Sequence, residues 1–172
     1  FSLTIDILCQ LVYNIICGAL KDFNMKINLK QIFNITGESK DIEYSIPAEE
    51  LSDIHGYSFA STVDVKGRVY NRADVVYLDY SVSFTLDLTC DRCLKEFENT
   101  YHFDFSHIVV PSVSCDNDEY IVAEGESIEL NDIAVTDLLL RLPTKILCKE
   151  DCRGLCMVCG CDLNESECNC LK

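Results

Sequence analysis

The chain has 172 residues, of which 29 are acidic and 14 basic, for a formal charge of −15. That length suffices for one domain with a real core, and its many aromatic and β-branched residues exclude wholesale disorder. The negative field excludes non-specific capture by nucleic acid or anionic lipid.

Residues 1–20, FSLTIDILCQLVYNIICGAL, are apolar but have no basic lead, and Asp6, Gln10 and Asn14 interrupt them. Both features count against an export signal or a membrane span. Leu8, Leu11, Val12, Ile15, Ile16 and Ala19 fall on one helical face. The first methionine is Met25, and residues 1–24 are read as an N-terminal extension on which no function is built. An α+β core is expected over 25–143 and a cysteine-rich tail over 144–172.

From Met25 to Leu51 the pattern is short-range and mixed, ending in an expected helix around PAEELSDI. Val63, Val65 and Val69 then alternate with polar residues. In LDYSVSFTLDLTC, Leu78, Tyr80, Val82, Phe84, Leu86 and Leu88 alternate with polar positions, the pattern of a strand with one buried face. It runs into Cys90 and Cys93 (CDRC), after which Tyr101, Phe103 and Phe105 are in phase as far as Pro111. Two strands joined by Cys-x2-Cys present two sulfurs at a hairpin tip, a common half of a tetrahedral zinc site. Buried cysteines acting as small hydrophobes, or a redox pair, are the alternatives; a redox Cys-x2-Cys normally opens a helix within a βαβ unit.

Residues 112–137 carry eight Asp or Glu and no Lys, Arg or His. They are expected to form a solvated loop or a dock for a basic partner. ELNDIAVTDLLLRLP reads as a helix capped by Asn131 or Asp132, packing through Ile133, Leu138, Leu139 and Leu142, and stopped by Pro143. His55, His102 and His107 have no nucleophile or carboxylate companion in a motif, and no phosphate-cradling loop is present. No catalysis and no small-molecule substrate are expected.

Seven of the twelve cysteines lie in the last 25 residues. A disulfide framework belongs to small secreted domains that cannot otherwise build a core. A reducing cytoplasm with thiols on zinc is therefore the expectation. Cys156, Cys159, Cys168 and Cys170 can close a local site, with Gly160 easing the turn. Cys148 and Cys152 then join Cys90 and Cys93 in a second site that staples the tail to the sheet. Two structural zinc ions follow, leaving Cys9, Cys17, Cys115 and Cys161 over. Cys161 is the ambiguous one, able to replace a neighbouring ligand. A tail this polar cannot fold on apolar burial alone, so metal binding would supply its folding energy.

CDRCLKEF on a hairpin, then a helix leading into LCKEDCRGLCMVCGCDLNESECNC, resembles the YceD family, the large ribosomal RNA subunit accumulation proteins. The resemblance runs from MKINLKQIF at Met25 to near the C-terminus. Cys161 departs from the family pattern, in which a non-cysteine commonly follows the Cys-Gly. The resemblance implies a non-catalytic bacterial factor supporting accumulation or processing of 23S ribosomal RNA and assembly of the large subunit. Its implied partners are pre-ribosomal RNA or ribosomal proteins. Arg92 and Lys95 in the knuckle and Lys145, Lys149 and Arg153 in the tail are the candidate contacts to RNA or a partner. The alternative is a zinc-stabilised protein-interaction module with no direct RNA role, favoured by the acidic balance.

Overall fold

The computed structural model describes residues 25–52, 54, 56–112 and 120–170. The N-terminal segment read as an extension, with Cys9 and Cys17, lies outside the described residues, as do His55 and Cys115. In chain order the elements are β1 (Lys26–Asn28), α1 (Lys30–Asn34), β2 (Ser39–Ile46), a 3-10 turn (Ala48–Leu51), β3 (Ser58–Phe59), β4 (Val63–Arg72), β5 (Val75–Thr89), β6 (Glu96–Val110), β7 (Tyr120–Val122), β8 (Ser127–Glu129) and α2 (Leu130–Arg141). The expected helix at PAEELSDI is thus a single 3-10 turn.

One sheet runs β2-β4-β5-β6-β7 with β3 also on β5, and a two-stranded pair joins β1 to β8. All pairings are antiparallel except β6 with β7. The expected α+β architecture with a mainly antiparallel sheet is therefore the one found. The two long strands β5 and β6 remain in register from Val76↔Val109 to Thr89↔Glu96, which carries the chain out to Cys90 and back from Cys93.

Period-two alternation decides the faces. Val76, Leu78, Tyr80, Val82, Phe84, Leu86 and Leu88 point inward with Val63, Val65 and Val69. α2 closes this core with Leu130, Ala134, Val135 and Leu138, while α1 contributes Ile32. Gly67 sits on the inward face opposite Tyr80, where a Cβ would come within 2.2 Å of the Asp79 carbonyl oxygen. Only glycine lets the two strands meet there.

The outer face is polar in its middle. It carries carboxylates on every long strand: Asp41 and Glu43 on β2, Asp64 on β4, Asp79 and Asp87 on β5, and Glu96, Glu98 and Asp104 on β6. At the end beside the β4–β5 turn it becomes aromatic and aliphatic.

Two expectations are corrected. The acidic stretch is not only a loop, because β7 and β8 form within it by pairing with the distant β6 and β1. Neither Asn131 nor Asp132 caps α2: Glu129 stands at its N-cap with no side-chain cap bond, and Asn131 is buried in the first turn. The orphan N–H of Leu130 is instead taken by the Met25 carbonyl at 2.9 Å. Strand pairing does the work of a cap here.

Candidate metal centres

The β5–β6 turn sets the first pair of thiols. The N–H of Leu94 donates to the Cys90 carbonyl at 3.0 Å, curling the chain so that Cys90 and Cys93 face the same side. Leu94 adopts φ +59 to do so. The tail repeats this turn: the N–H of Gly160 donates to the Cys156 carbonyl at 2.9 Å, with Gly160 at φ +74. Both turns are zinc-knuckle geometry, one built with glycine and one without.

A reciprocal pair of hydrogen bonds brings the tail to the first knuckle. The Asp91 N–H donates to the Ile146 carbonyl at 2.8 Å, and the Ile146 N–H donates to Asp91 Oδ2 at 2.7 Å. Arg92 continues the clamp, with Nη1 donating to the Cys152 carbonyl at 2.7 Å and its own carbonyl accepting from the Leu155 N–H at 3.2 Å. Glycine at residue 154 eases this close pass. It sits at φ +75, where a Cβ would lie 3.0 Å from the Arg92 carbonyl oxygen.

These bonds gather Cys90, Cys93, Cys148 and Cys152, whose sulfurs all lie within 4.8 Å of one another. Cys90 and Cys152 sulfurs are 3.7 Å apart, and those of Cys93 and Cys148 3.6 Å. Phe97, Leu147 and Leu155 pack around them. A second set, Cys156, Cys159, Cys161 and Cys168, is equally close, with Cys159–Cys168 at 3.5 Å and Cys156–Cys168 at 3.2 Å. Cys170 was expected in that set. Its amide donates to Cys168 Sγ at 3.3 Å, which keeps it beside the centre, while Cys161 stands among the four gathered sulfurs in its place.

The donor sets fit a metal. Sulfurs each about 2.3 Å from a tetrahedral zinc lie about 3.8 Å from one another, close to the spacings observed. They are far from the roughly 2.05 Å of a disulfide, and the described cysteines are free thiols.

The electrostatics agree. Burial pushes the Cys90 thiol up, but the backbone N–H groups of Cys148, Cys93 and Arg92 outweigh it and bring it down to about 6. Burial and the neighbouring thiols push Cys148 up to about 12. In the tail, the Cys161 N–H helps bring Cys159 down to about 6, while the Cys159 thiol helps push Cys161 up to about 12. Each cluster keeps protons because it cannot hold four thiolates unaided. A divalent cation removes that restriction.

The five basic residues singled out from the sequence are not one patch of unoccupied charge. Arg92 is exposed and donates from Nη1 to the Cys152 carbonyl. The Arg153 N–H donates to Asn164 Oδ1 at 2.8 Å, and its Nη1 donates to the Leu163 carbonyl at 3.3 Å. Lys149 lies 3.9 Å from Asp151 and shares a cleft beside Cys93 and Cys148 with Lys95. Lys145 is exposed.

Asn164 was missed from the sequence. Its side-chain N–H donates to Cys152 Sγ at 3.4 Å, a contact that orients a ligand atom from outside the donor set. Nothing in a lone asparagine among DLNESE signals it. His107 has a companion in space that no sequence motif contains. Its Nε2 lies 2.6 Å from Asp137 Oδ2 on α2, and the same oxygen accepts from the Tyr80 hydroxyl. This chain of three polar groups fastens the helix to the sheet.

The family described as "Large ribosomal RNA subunit accumulation protein YceD" matches residues 78–172, which include both knuckles and every cysteine of both clusters. The chain belongs to the YceD family. A relative in Bacillus subtilis (strain 168), "Uncharacterized protein YlbN", is 22% identical over 130 residues, covering 74% of this chain and 76% of its own length. No solved structure matches. The YceD match begins at Leu78 and so covers most of β5, all of β6 and the whole route from the first knuckle to the tail. Among the described residues no helix is long and apolar enough to cross a membrane.

Proposed function

We propose that this protein is a non-catalytic ribosome biogenesis factor of the bacterial cytoplasm, supporting accumulation of 23S ribosomal RNA and assembly of the large subunit. The family match over 78–172 carries this reading. Two structural zinc ions are its cofactors. Cys90, Cys93, Cys148 and Cys152 would hold one, and Cys156, Cys159 and Cys168 the other, with Cys161 or Cys170 as fourth ligand. Four thiolates close a site and leave no position at which to activate water, so the metals organise the chain rather than perform chemistry. Lys95 and Lys145 are the candidates for contact with RNA or a ribosomal protein that make the fewest contacts within the fold. Lys149 lies near Asp151, and the exposed Arg92 and Arg153 each donate one N–H to a carbonyl and keep their charge.

Depletion of the protein followed by measurement of mature 23S against 16S RNA tests the role. A selective fall in 23S is expected, and an unchanged ratio overturns the reading. Elemental analysis of protein purified without added metal should find two zinc ions per chain. The zinc-stabilised interaction module keeps its support in the acidic outer face of the sheet, and an unchanged ratio with zinc present would favour it.

A further inference from the structure

The outer face of the sheet has chemistry that neither the metal centres nor the ribosomal reading uses. Strand register places Tyr70 opposite Tyr77, Tyr77 opposite Ile108 and Ile108 opposite Tyr120, one row across four strands. Tyr70 and Tyr77 stack with centroids 5.4 Å apart at 21°. Tyr120 is 37% exposed and Val122 beside it 41%. Both helices pack on the other face.

Next to this row is a cleft of about 610 Å³ lined by Asp41, Asp79, Asp104, Lys66, Arg68 and Ser106 among others. Its cations are already engaged. Lys66 Nζ lies 2.9 Å from Glu43, and the Arg68 guanidinium lies 4.8 Å over the Tyr70 ring. Asp79 accepts from the Tyr70 hydroxyl at 2.8 Å and from the Ser106 hydroxyl at 2.6 Å, which sets the ring in place. Asp104 is exposed over 82% of its side chain.

We propose that this face docks an arginine- and lysine-rich segment of a partner protein, laid across the tyrosine row with its cations over the carboxylates. Arg68 already shows how the row takes a guanidinium: flat on a tyrosine face, the favoured cation–π arrangement. Carboxylates outnumber cations across the face, and the whole chain carries −15, so a cationic segment is drawn in and oriented by the field. The same field disfavours a nucleic-acid strand. Stacked bases need cations along the backbone. Of the three on this face of β4, Lys66, Arg68 and Arg72, Lys66 is paired with Glu43 and Arg68 lies against Tyr70. The inference does not depend on the ribosomal role, since it concerns the chemistry of the surface alone.

Fluorescence anisotropy of the full, zinc-loaded chain tests it with two labelled probes: a twelve-residue peptide of arginine and lysine with two central leucines, and a twelve-nucleotide oligouridylate. The peptide should bind. Asp104→Lys combined with Asp41→Lys, both lining the cleft, should weaken it by about tenfold, and Tyr77→Ala combined with Tyr120→Ala by about fivefold at unchanged charge. Glu150→Lys combined with Glu165→Lys, on the tail, serves as the equal-charge control and should change affinity by less than about twofold. Thermal melts confirm that each variant is folded. The proposal is overturned if the peptide fails to bind or if the tail control weakens it as much as the sheet variant. It is also overturned if oligouridylate binds in its place, weakened by Arg68→Glu and strengthened by Asp104→Lys.

Discussion

Leu94 occupies the position that Gly160 fills in the second knuckle. Both have left-handed backbone and both N–H groups close the same turn, but a side chain there costs about 1 kcal/mol. Leu94 is 64% exposed, so it recovers little of that by packing. Leu94→Gly is expected to stabilise the protein by somewhat under about 1 kcal/mol, part of the gain being offset by the freer unfolded chain. A rise of a few degrees in the melting midpoint checks this, and a fall would mean that Leu94 makes contacts worth more than its strain. The tail centre poses a second question at this scale. If the extra thiol is a spare ligand, Cys161→Ser and Cys170→Ser should each retain two zinc ions by elemental analysis, and the double variant should lose one. Spacing alone marks the paired cysteines but cannot choose between Cys161 and Cys170. Each lies two residues from another cysteine of the cluster, and only the path of the backbone decides which sulfur turns inward.

At the scale of elements, α2 packs on the core through Leu130, Ala134, Val135 and Leu138 and is also tied to the sheet by one carboxylate. Asp137 takes both the Tyr80 hydroxyl and His107, and burial together with that carboxylate holds the Tyr80 hydroxyl well above its ordinary range. Asp137→Ala would strand two polar groups at the interface, at a cost of about 1–3 kcal/mol. Thermal melting should fall by several degrees with the zinc content unchanged; an unchanged midpoint would show that apolar packing alone fixes the helix. This contact was illegible in the sequence, because His107 and Asp137 are 30 residues apart and belong to different elements. The strands that carry the knuckle were legible, since β5 and β6 are long and keep one face buried. β7 and β8 were not. Each is three residues long and has no alternation of its own to read, and each exists because a distant strand offers it hydrogen bonds. The absent side-chain cap on α2 has the same cause.

At the scale of the whole molecule, the two centres differ in what they tie together. The thiols of Cys93 and Cys148 are 55 positions apart in the chain, and those of Cys90 and Cys152 62 apart. A metal at the first centre would close the chain across β6, β7, β8 and α2. The second centre spans Cys156 to Cys168 and closes only the tail. Since zinc binds thiolate, protons must leave on loading, from Cys148 at the first centre and from whichever of Cys161 and Cys170 serves the second, all of them thiols held up to about 12. Affinity therefore rises with pH and is lost as pH falls. Release of zinc to a chromophoric chelator should increase on acidification, with the melting midpoint falling in parallel.

Pinning a long loop removes more freedom from the unfolded chain than pinning a short one. Loss of one ligand at the first centre also leaves three thiols in a buried cluster with no ion to balance them. Cys93→Ser is expected to lower the melting midpoint of the whole domain. Cys168→Ser should leave the sheet at nearly its original midpoint and open the tail beyond about Gly154 to protease, because local unfolding there breaks no contact within the main core. Melting and limited proteolysis of the two variants side by side decide it. If Cys168→Ser melts the entire domain while Cys93→Ser does not, the metal that holds sheet and tail together is the tail's own, and the clamp of Asp91, Arg92 and Gly154 on the first knuckle is a consequence of that fold rather than its anchor.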